Sequence, residues 1–399
     1  MGGTMLPALH LKTHEDRRLR AGHLWIFSNE VDTVQSPLGG FTTGELVRVV
    51  SGRDQFIGYA YINPHALICA RILSRDEAHP VTDVWLQERL GAALALRQRL
   101  FATPHYRLVF GESDGLPGLI LDRYGEVIVG QVATAGMQTL APRIAAALEL
   151  VVAPRALIWK NDSGARDLEQ LVHEVHSSAG DVPAEVSVIE NGHNFAAPLL
   201  EGQKTGWFYD QAFNRSLLPR FLPGGARVLD VCSYAGGWGI TAGKGGARHV
   251  LCVDSSAKAL EYAARNAELN GISLETRKGD AFEVLAALAT ANEHFDVIVL
   301  DPPAFAKRKK DLPKAQAAYR KLNQLALRLI HAEGLLVSCS CSWHFGSDAL
   351  LGVIQTAARH AGRFVQVIGV GSQSPDHPIH PAIAETRYLK AFFCRVTTS

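Results

Sequence analysis

Cysteine is scarce in this sequence, and its spacing argues against two common uses of the residue. The 399 residues include six cysteines, and no two of them have the Cys-x-x-Cys spacing of many zinc sites. They are also too sparse for the disulfide scaffold of a small secreted domain. We therefore expect reduced thiols, no metal site and a cytoplasmic location. The cysteines occupy positions 69, 232, 252, 339, 341 and 394.

Long apolar runs and an excess of charge are missing as well. No run approaches the roughly eighteen uncharged apolar residues that a membrane-spanning helix requires, and the N-terminus lacks the apolar core of a signal peptide. Forty basic and thirty-nine acidic residues give a formal net charge of +1. We expect no membrane association, and a polyanion would have to be bound by a local basic patch.

The chain is too long for a single ordinary core, and its apolar patterns predict three domains. Residues 1–74 contain short strand-like segments typical of a small β-barrel-like domain. Residues 75–198 form a predicted α+β domain, with a helix over 82–101 and a loop over 177–183. Residues 199–399 alternate helix and strand, which predicts a doubly wound parallel sheet and an α/β fold.

A glycine-rich turn follows the first strand of this third domain. The strand Arg227-Val228-Leu229-Asp230-Val231-Cys232 leads into Ser233-Tyr234-Ala235-Gly236-Gly237 and then a helix. Glycines let the backbone approach a ligand closely, and a helix N-terminus favours negative charge. The spacing is not the Gly-x-Gly-x-x-Gly of dinucleotide sites. Taken alone, the turn is equally consistent with a purely structural role.

Acidic residues end the next two strand units. Asp254, followed by Ser255, comes at about the interval at which a carboxylate reaches ribose hydroxyls. Asp280-Ala281-Phe282 offers a carboxylate to an adenine amino group beside an aromatic ring. Each acid by itself is explained as well by helix capping. Their succession at strand ends favours a nucleoside-containing cofactor, and the turn residues and these segments are the predicted cofactor site.

Two further strands end in reactive side chains. Asp301-Pro302-Pro303 follows one apolar strand, and Cys341 follows the apolar run 334–340. The carboxyl ends of parallel strands meet at one edge of a sheet, so these side chains are expected to converge. A thiolate that adds to C6 of a pyrimidine, with an acid that protonates N3, makes C5 nucleophilic. Cys341 and Asp301 are the predicted catalytic pair, and a buried, inert Cys341 is the alternative.

Residues 210–398 resemble the class I S-adenosylmethionine-dependent methyltransferases. The motifs that carry this resemblance are the glycine-rich turn, Asp254, Asp280 and Asp301-Pro302-Pro303. In amino-methylating members an aromatic residue usually follows the prolines directly, whereas here Ala304 intervenes. The resemblance implies S-adenosyl-L-methionine as the cofactor, with Asp301 also bordering it.

Three segments together resemble one family, the RlmI-type 23S ribosomal RNA cytosine-C5 methyltransferases. This resemblance covers nearly the whole chain and implies an N-terminal PUA RNA-binding domain, a central α+β domain and a Rossmann-like methyltransferase domain. It further implies that the product is 5-methylcytosine in 23S RNA, free or in a partly assembled large subunit. The segments are Gly202-Gln203-Lys204-Thr205-Gly206-Trp207-Phe208-Tyr209-Asp210-Gln211, Asp301-Pro302-Pro303-Ala304-Phe305 and Ser340-Cys341-Ser342.

The same resemblance assigns roles to individual residues. Cys341 is implied as the nucleophile, and Gln203, Lys204 and Thr205 are implied to border the cofactor. The sequence departs from the family at Ala212, where an arginine is usual, and at Cys339, where an apolar residue is common.

Several alternatives stay open at this point. Cys339 lies on the same face as Cys341 of an extended strand, and it either helps remove the C5 proton or packs. The basic run Lys307-Arg308-Lys309-Lys310 either holds RNA phosphates or is a solvated surface. Two alternatives to cytosine-C5 methylation also remain. The protein either methylates another RNA atom without a thiol nucleophile, or it is a non-catalytic RNA-binding assembly factor. A homodimer is also left open.

Overall fold

The computed structural model describes residues 6–199, 202 and 205–398. Its internal contacts divide the chain into two compact units. Of the described residues, the first unit contains 6–184, 205–207 and 376–386, and the second contains 185–199, 202, 208–375 and 387–398. Among the described residues, no helix is long and apolar enough to cross a bilayer.

The first unit begins with a five-stranded sheet and a short helix α1 (Arg17–Arg20). Its strands follow the order β1-β3-β4-β5-β2. Alternating side chains such as Leu9, Ile26 and Val49 are fully buried in one apolar cluster, as expected of a small β domain. The strands are β1 (Ala8–His10), β2 (Trp25–Phe27), β3 (Leu46–Val50), β4 (Phe56–Ile62) and β5 (Ile68–Ser74).

A second five-stranded sheet, with the order β10-β9-β8-β7-β6, belongs to the same unit. The helix predicted over 82–101 is observed as α2 (Asp83–Leu100). It begins at Asp83 because the Thr82 hydroxyl accepts a 3.2 Å hydrogen bond from the N–H of Trp85 and so caps the helix. The remaining elements are β6 (His105–Phe110), β7 (Leu119–Tyr124), β8 (Val127–Val132), α3 (Ala135–Val151), β9 (Ala156–Asn161) and β10 (Glu174–Ala179).

The second unit contains a hairpin of β11 (Glu185–Glu190) and β12 (His193–Pro198) and a seven-stranded sheet. The strands of the sheet are β13 (Arg227–Val231), β14 (His249–Asp254), β15 (Glu275–Lys278), β16 (Phe295–Leu300), β17 (Ile330–Ser340), β18 (Arg363–Ser372) and β19 (Lys390–Thr398). The helices are α4 (Ala212–Leu217), α5 (Gly237–Lys244), α6 (Ala257–Leu269), α7 (Ala281–Thr290), α8 (Leu312–Leu329) and α9 (Ser347–Ala361).

The seven-stranded sheet has the order β15-β14-β13-β16-β17-β19-β18. The first five strands are parallel, and β19 inserts antiparallel between β17 and β18. Apolar clusters cover both faces, so that Val297 and Val299 of β16 pack on one side and Ile298 and Leu300 on the other. The predicted doubly wound α/β architecture is therefore confirmed.

The strand register aligns the predicted site residues at one edge. Val231 pairs with Val253 of β14 and with Leu300 of β16, and Leu300 pairs with Ser338 of β17. Because these strands are parallel, their carboxyl ends emerge together. The residues that follow Val231, Val253, Leu300 and Ser338 therefore surround a common opening.

Candidate active site

The glycine-rich turn leaves β13 with an unusual backbone. Residues Cys232, Tyr234 and Gly236 have positive φ angles of 63°, 48° and 83°. Such angles are uncommon for residues other than glycine, and they cluster at functional turns. At Gly236 a Cβ atom would lie 3.1 Å from the Cβ of Ala263, so the close passage requires glycine. Helix α5 then begins at Gly237.

Hydrogen bonds fix this turn to its neighbours. The N–H of Ser233 donates to the Val253 carbonyl at 3.0 Å, and the N–H of Tyr234 donates to Oδ2 of Asp254 at 2.9 Å. The fully buried Ala235 offers its carbonyl to Nδ2 of Asn266 at 3.0 Å. The turn is thus held in one shape at the edge of the sheet.

Asp254 lies at the end of β14 and is partly exposed. Its Oδ1 accepts the N–H of Ser256 at 2.9 Å, while its Oδ2 accepts from the glycine turn. Ser256 rather than the exposed Ser255 caps α6, through an N–H···O bond of 3.2 Å from Ala259. The carboxylate is therefore oriented by two backbone donors and faces the opening at the strand ends.

Asp280 caps helix α7, which was the alternative interpretation of this residue. Its Oδ1 accepts the N–H groups of Phe282 at 2.9 Å and Glu283 at 3.3 Å. Ala281 is the first residue of the helix. The Phe282 ring lies 6.3 Å from the Phe305 ring, between centroids, so an aromatic wall stands beside the exposed carboxylate. Asp280 therefore caps the helix and also lies, exposed, at the edge of the sheet where a ligand is predicted.

The predicted segment 203–205 is only partly described. Gln203 and Lys204 lie outside the described residues. Thr205 belongs to the first unit, where it is fully buried and its hydroxyl donates to a carboxylate oxygen of Asp122. Arg107 also binds Asp122, at 2.8 Å. A cofactor contact by Gln203, Lys204 or Thr205 stays a prediction.

Asp301 follows β16 and accepts a hydrogen bond on each carboxylate oxygen. Nε2 of Gln211 donates to Oδ1 at 2.7 Å, and Nε1 of Trp238 donates to Oδ2 at 3.0 Å. Gln211 is itself oriented by Asn214, whose Nδ2 donates to its Oε1 at 2.6 Å. Burial raises the pKa of Asp301 to about 6, against the opposing effect of the Trp238 hydrogen bond. The carboxyl group is held rigidly and is poised to exchange a proton near neutral pH.

Cys341 lies beside the Asp-Pro-Pro segment. Its Sγ is 3.9 Å from the carbonyl oxygen of Pro302, and the side chain is partly exposed. The flanking serines both turn to Tyr319 of α8, since Oγ of Ser340 donates to the tyrosine hydroxyl at 2.9 Å and Oγ of Ser342 lies 3.2 Å from it. Tyr319 therefore fixes the backbone on both sides of the thiol. Cys341 thus contacts Pro302, the residue after Asp301, and the catalytic pairing of Cys341 with Asp301 stays a prediction.

Cys339 is fully buried in the apolar cluster that includes Trp238 and Phe393, opposite Ala391 in the register. Burial raises the pKa of its thiol well above the usual value. These observations favour packing, and a share in removing the C5 proton stays an untested alternative.

Four residues of this region were missed from the sequence: Gln211, Trp238, Tyr319 and Lys390. Gln211 ends one of the segments quoted above, and Trp238 is the second residue of the helix that follows the glycine-rich turn. The signal available in the sequence was the predicted acid Asp301, which needs hydrogen-bond donors to orient it. Tyr319 and Lys390 come from α8 and β19, and their proximity depends on the order of the strands. Nζ of Lys390 donates to the carbonyl oxygens of Ser342 at 2.5 Å and Tyr388 at 2.9 Å.

The basic run at residues 307–310 is exposed throughout and follows the Asp-Pro-Pro segment. In the first unit, by contrast, Arg18 is bound to Glu30 at 2.8 Å, and Nε1 of Trp25 donates to Glu112 at 2.9 Å. These two side chains have partners inside the unit. Arg308 of the basic run is also paired, with Nε 3.6 Å from Oδ2 of Asp311, so the exposed Lys307, Lys309 and Lys310 are the candidates for contacts with an external polyanion.

Among the described residues, no three His, Cys, Asp or Glu side chains are grouped so as to hold a metal ion.

The strand order, the glycine-rich turn and the acids at consecutive strand ends define a class I S-adenosylmethionine-dependent methyltransferase. Family models agree: one described as an S-adenosylmethionine-dependent methyltransferase matches residues 164–395, and one described as a PUA-like domain matches residues 9–75. The expected fold class and cofactor are confirmed.

Curated relatives identify the family more closely. The chain is 34% identical to the ribosomal RNA large subunit methyltransferase I of Klebsiella pneumoniae strain 342, over 99% of this chain and all of that protein. The corresponding protein of Salmonella arizonae is also 34% identical, over 98% of each chain. The chain belongs to the ribosomal RNA large subunit methyltransferase I family, as its sequence motifs predicted.

Solved structures share the fold at lower identity. The crystal structure of SMU.776 complexed with SAH has a TM-score of 0.82 and 19% identity, and the match covers 98% of this chain and all of that one. Trm5b from Pyrococcus abyssi has a TM-score of 0.52 and 19% identity, over 69% of this chain and 74% of that one. These matches show that the architecture recurs among other methyltransferases.

Proposed function

We propose that this enzyme forms 5-methylcytosine in large-subunit ribosomal RNA through a covalent bond between Sγ of Cys341 and C6 of the base. The observation that carries the proposal is the position of the thiol, 3.9 Å from the Pro302 carbonyl and next in the sheet to Asp301. The RNA substrate is supported by the relatives, which are named for the large ribosomal subunit. We infer 23S RNA as the substrate and the cytoplasm as the place of action.

The chemistry follows from the low nucleophilicity of C5. The Cys341 thiolate forms the Sγ–C6 bond, and the electron pair of the C5–C6 double bond becomes available at C5. S-adenosylmethionine, when bound, supplies the electrophilic methyl group. Loss of the C5 proton then returns an electron pair to the ring, the Sγ–C6 bond breaks, and the thiolate is regenerated. The group that accepts the C5 proton is not assigned.

Asp301 has the role of an acid in this scheme. Protonated Asp301 donates to N3 of the cytosine, which withdraws electrons from C6 and makes attack by the thiolate easier. A carboxyl group with a pKa raised to about 6 is protonated in a useful fraction of molecules near neutral pH. Gln211 and Trp238 hold it in one orientation, so little reorganisation precedes the proton transfer.

The cofactor would occupy the edge formed by the strand ends. The glycine turn at residues 233–237 would face the methionine moiety, Asp254 the ribose hydroxyls, and Asp280 with Phe282 the adenine. The fit is supported by the two backbone bonds that orient Asp254. Asp301 also borders this space, and Gln203, Lys204 and Thr205 stay proposed contacts.

Access to the base requires that it leave its stack, at a cost of a few kcal/mol. We assign the exposed basic run at residues 307–310 to phosphates beside the opening, and further RNA contacts to the PUA-like domain. In this scheme domain 1–74 binds RNA, domain 75–198 lies between in the sequence, and domain 199–399 carries the chemistry. Activity as a homodimer stays an untested alternative.

The decisive experiment uses RNA that contains 5-fluorocytosine. With fluorine at C5 there is no proton to lose after methyl transfer, so the Sγ–C6 bond cannot break and the covalent adduct accumulates. We expect a covalent complex through Cys341, and none with Cys341→Ser. The matched control is Cys69→Ser, a buried cysteine of β5 in the other unit, which should still form the complex.

Two results would contradict the proposal. Absence of an adduct with the wild-type protein, together with full turnover by Cys341→Ser, would indicate methylation of another RNA atom without a thiol. Absence of S-adenosylmethionine binding in a folded protein would indicate a non-catalytic RNA-binding factor. Titration calorimetry with the cofactor, with Asp254→Ala as the comparison, separates these two cases.

A further inference from the structure

Lys390 is a buried lysine with no carboxylate partner in the part of the chain that the structure describes. The residue is only 6% exposed, and it lies opposite Ser340 in the pairing of β19 with β17. Among the described residues, Nζ of Lys390 donates to the carbonyl oxygens of Tyr388 and of Ser342, the residue directly after Cys341. A buried ammonium group is costly unless a negative charge compensates it. The Cys341 thiolate is a negative group that acts electrostatically on Lys390 and raises the pKa of its amine.

We propose that Lys390 is the positioning residue that sets the protonation state of Cys341, forming with it an ammonium–thiolate pair. The consequence for catalysis rests on the proposed function, since a permanently available thiolate matters only if Cys341 attacks the base. The pairing itself is a property of the protein without RNA or cofactor. It can therefore be tested separately from the methylation reaction.

The amine can keep its two observed carbonyl bonds in both protonation states. Neutral Lys390 has two N–H groups for the Ser342 and Tyr388 carbonyls and a lone pair for the thiol proton. On proton transfer the S–H bond breaks, its electron pair stays on sulfur, and a third N–H bond forms on Nζ. The resulting ammonium keeps both carbonyl bonds and has one further donor for the thiolate. The net charge of the pair does not change.

The electrostatics are consistent with such an exchange. Burial lowers the pKa of Lys390 to about 8, and the Cys341 thiolate acts in the opposite direction. The other titratable groups nearby are Tyr319 of α8, Cys339 of β17 and Asp301 after β16. Burial raises the pKa values of Tyr319 and Cys339, which keeps both neutral near pH 8. Asp301, with a pKa of about 6, is already ionised there.

Asp210 is a further acidic residue to consider, because its Oδ2 accepts a hydrogen bond of 2.6 Å from the hydroxyl of Tyr388. Its hydrogen bond is to the tyrosine side chain, whereas Lys390 contacts the tyrosine carbonyl. Lys390 and Cys341 are therefore the two groups that share one proton at neutral to mildly alkaline pH. A solely structural lysine would instead tie the two carbonyls together without affecting the thiol.

Thiol alkylation as a function of pH distinguishes these two roles. The rate of iodoacetamide labelling of Cys341, followed by peptide mass spectrometry without RNA or cofactor, reports the fraction of thiolate. We expect Lys390→Met to raise the midpoint by about one pH unit or more and to slow labelling at pH 7 roughly tenfold. Lys390→Arg keeps the positive charge and should keep a low midpoint.

Lys390→Gln is the critical variant, because its amide can still donate to the carbonyls but carries no charge. A midpoint raised as in Lys390→Met supports the ammonium–thiolate pair. A wild-type midpoint in Lys390→Gln would overturn it and assign Lys390 a structural role. If Lys390→Met does not fold, the glutamine and arginine variants decide. The control is Lys244→Met, an exposed lysine at the far end of α5.

The 5-fluorocytosine experiment keeps this proposal apart from the proposed function. Formation of the wild-type adduct together with an unchanged alkylation midpoint in Lys390→Gln would refute only the role of Lys390. A raised midpoint without any adduct would refute the C5 chemistry while leaving the ion pair in place.

Discussion

The indole N–H of Trp238 donates a 3.0 Å hydrogen bond to Oδ2 of Asp301. Trp238 lies in helix α5, directly after the glycine-rich turn, whereas Asp301 begins the Asp-Pro-Pro segment. The bond therefore links the part of the edge assigned to the cofactor with the part assigned to the base. Its strength sets how readily Asp301 gives up a proton.

Trp238→Phe should move the alkaline limb of the pH–rate profile. The Trp238 hydrogen bond lowers the pKa of Asp301, so removing that bond raises the pKa above about 6. If protonated Asp301 is the required form, activity falls as pH rises through its pKa, and the variant should lose activity at higher pH than the wild type. A hydrogen bond to a charged group contributes roughly 1.5–3 kcal/mol, which corresponds to a pKa change of about one to two units.

The measurement for this prediction is single-turnover methylation across pH. Asp301→Asn serves as the comparison, since an amide cannot supply the proton and should remove the limb altogether. An identical limb in wild-type and Trp238→Phe enzymes would show that Asp301 is not the acid.

Asp230 should make the stability of the protein depend on pH. The residue is fully buried in β13, and burial raises the pKa of its carboxyl group from 3.8 to about 7. The folded state then holds the proton more tightly than the unfolded state does, so the free energy of unfolding falls as pH rises between about 4 and 7. The contribution has a slope of up to roughly 1.4 kcal/mol per pH unit.

Asp230→Asn should lose this dependence, because an amide does not titrate. Urea unfolding of both proteins at several pH values gives the difference directly. We expect the variant to gain stability relative to the wild type as pH rises from 4 to 7. A constant difference would mean that Asp230 has an ordinary pKa.

Tyr319→Phe should disturb the nucleophile without touching it. The variant removes the hydroxyl that binds the buried serines on either side of Cys341, and leaves Ser340 with no acceptor there. We expect a decrease of about 1–3 kcal/mol in the free energy of unfolding and slower adduct formation with 5-fluorocytosine RNA. Tyr262→Phe, which removes a hydroxyl bound to Glu185 elsewhere in the unit, should leave adduct formation unchanged.

Neutralising the exposed basic run should weaken RNA binding in a salt-dependent manner. A triple variant of Lys307→Gln, Lys309→Gln and Lys310→Gln should reduce the slope of log affinity against log salt by roughly 0.7 for each RNA phosphate that the variant no longer neutralises. Fluorescence anisotropy with a ribosomal RNA fragment measures this slope. The same slope in the triple variant as in Lys258→Gln, on the surface of α6, would assign the run to solvent.

Much of the site could be predicted because it follows strand ends. Asp254, Asp301 and Cys341 each come directly after an apolar run, and parallel strands bring such residues together without knowledge of their partners. The fold class and the family were predicted for the same reason, since the motifs are local. The register of β13, β14, β16 and β17 in the structure aligns the carboxyl ends of these strands at one edge of the sheet.

The contributions of Lys390 and Tyr319 could not be predicted in this way. Lys390 meets Ser340 only because β19 inserts between β17 and β18, and local pattern does not reveal that order. The loop expected over 177–183 was partly wrong for a related reason. Polar residues of β10 (Glu174–Ala179) form a strand by pairing with β9, a non-local contact that overrides their weak strand propensity.

The position of β19 also has a consequence for folding. The strand follows both of its neighbours in the chain but lies between them, so β17 stays an edge strand until β19 pairs with it. Such long-range pairing is slow compared with the formation of local structure. In an intermediate that lacks β19, the thiol at position 341 has no ammonium group beside it. We expect Cys341 of a partly folded chain to be less ionised at pH 7 than in the folded protein, so that pairing of β19 with β17 raises the reactivity of the nucleophile.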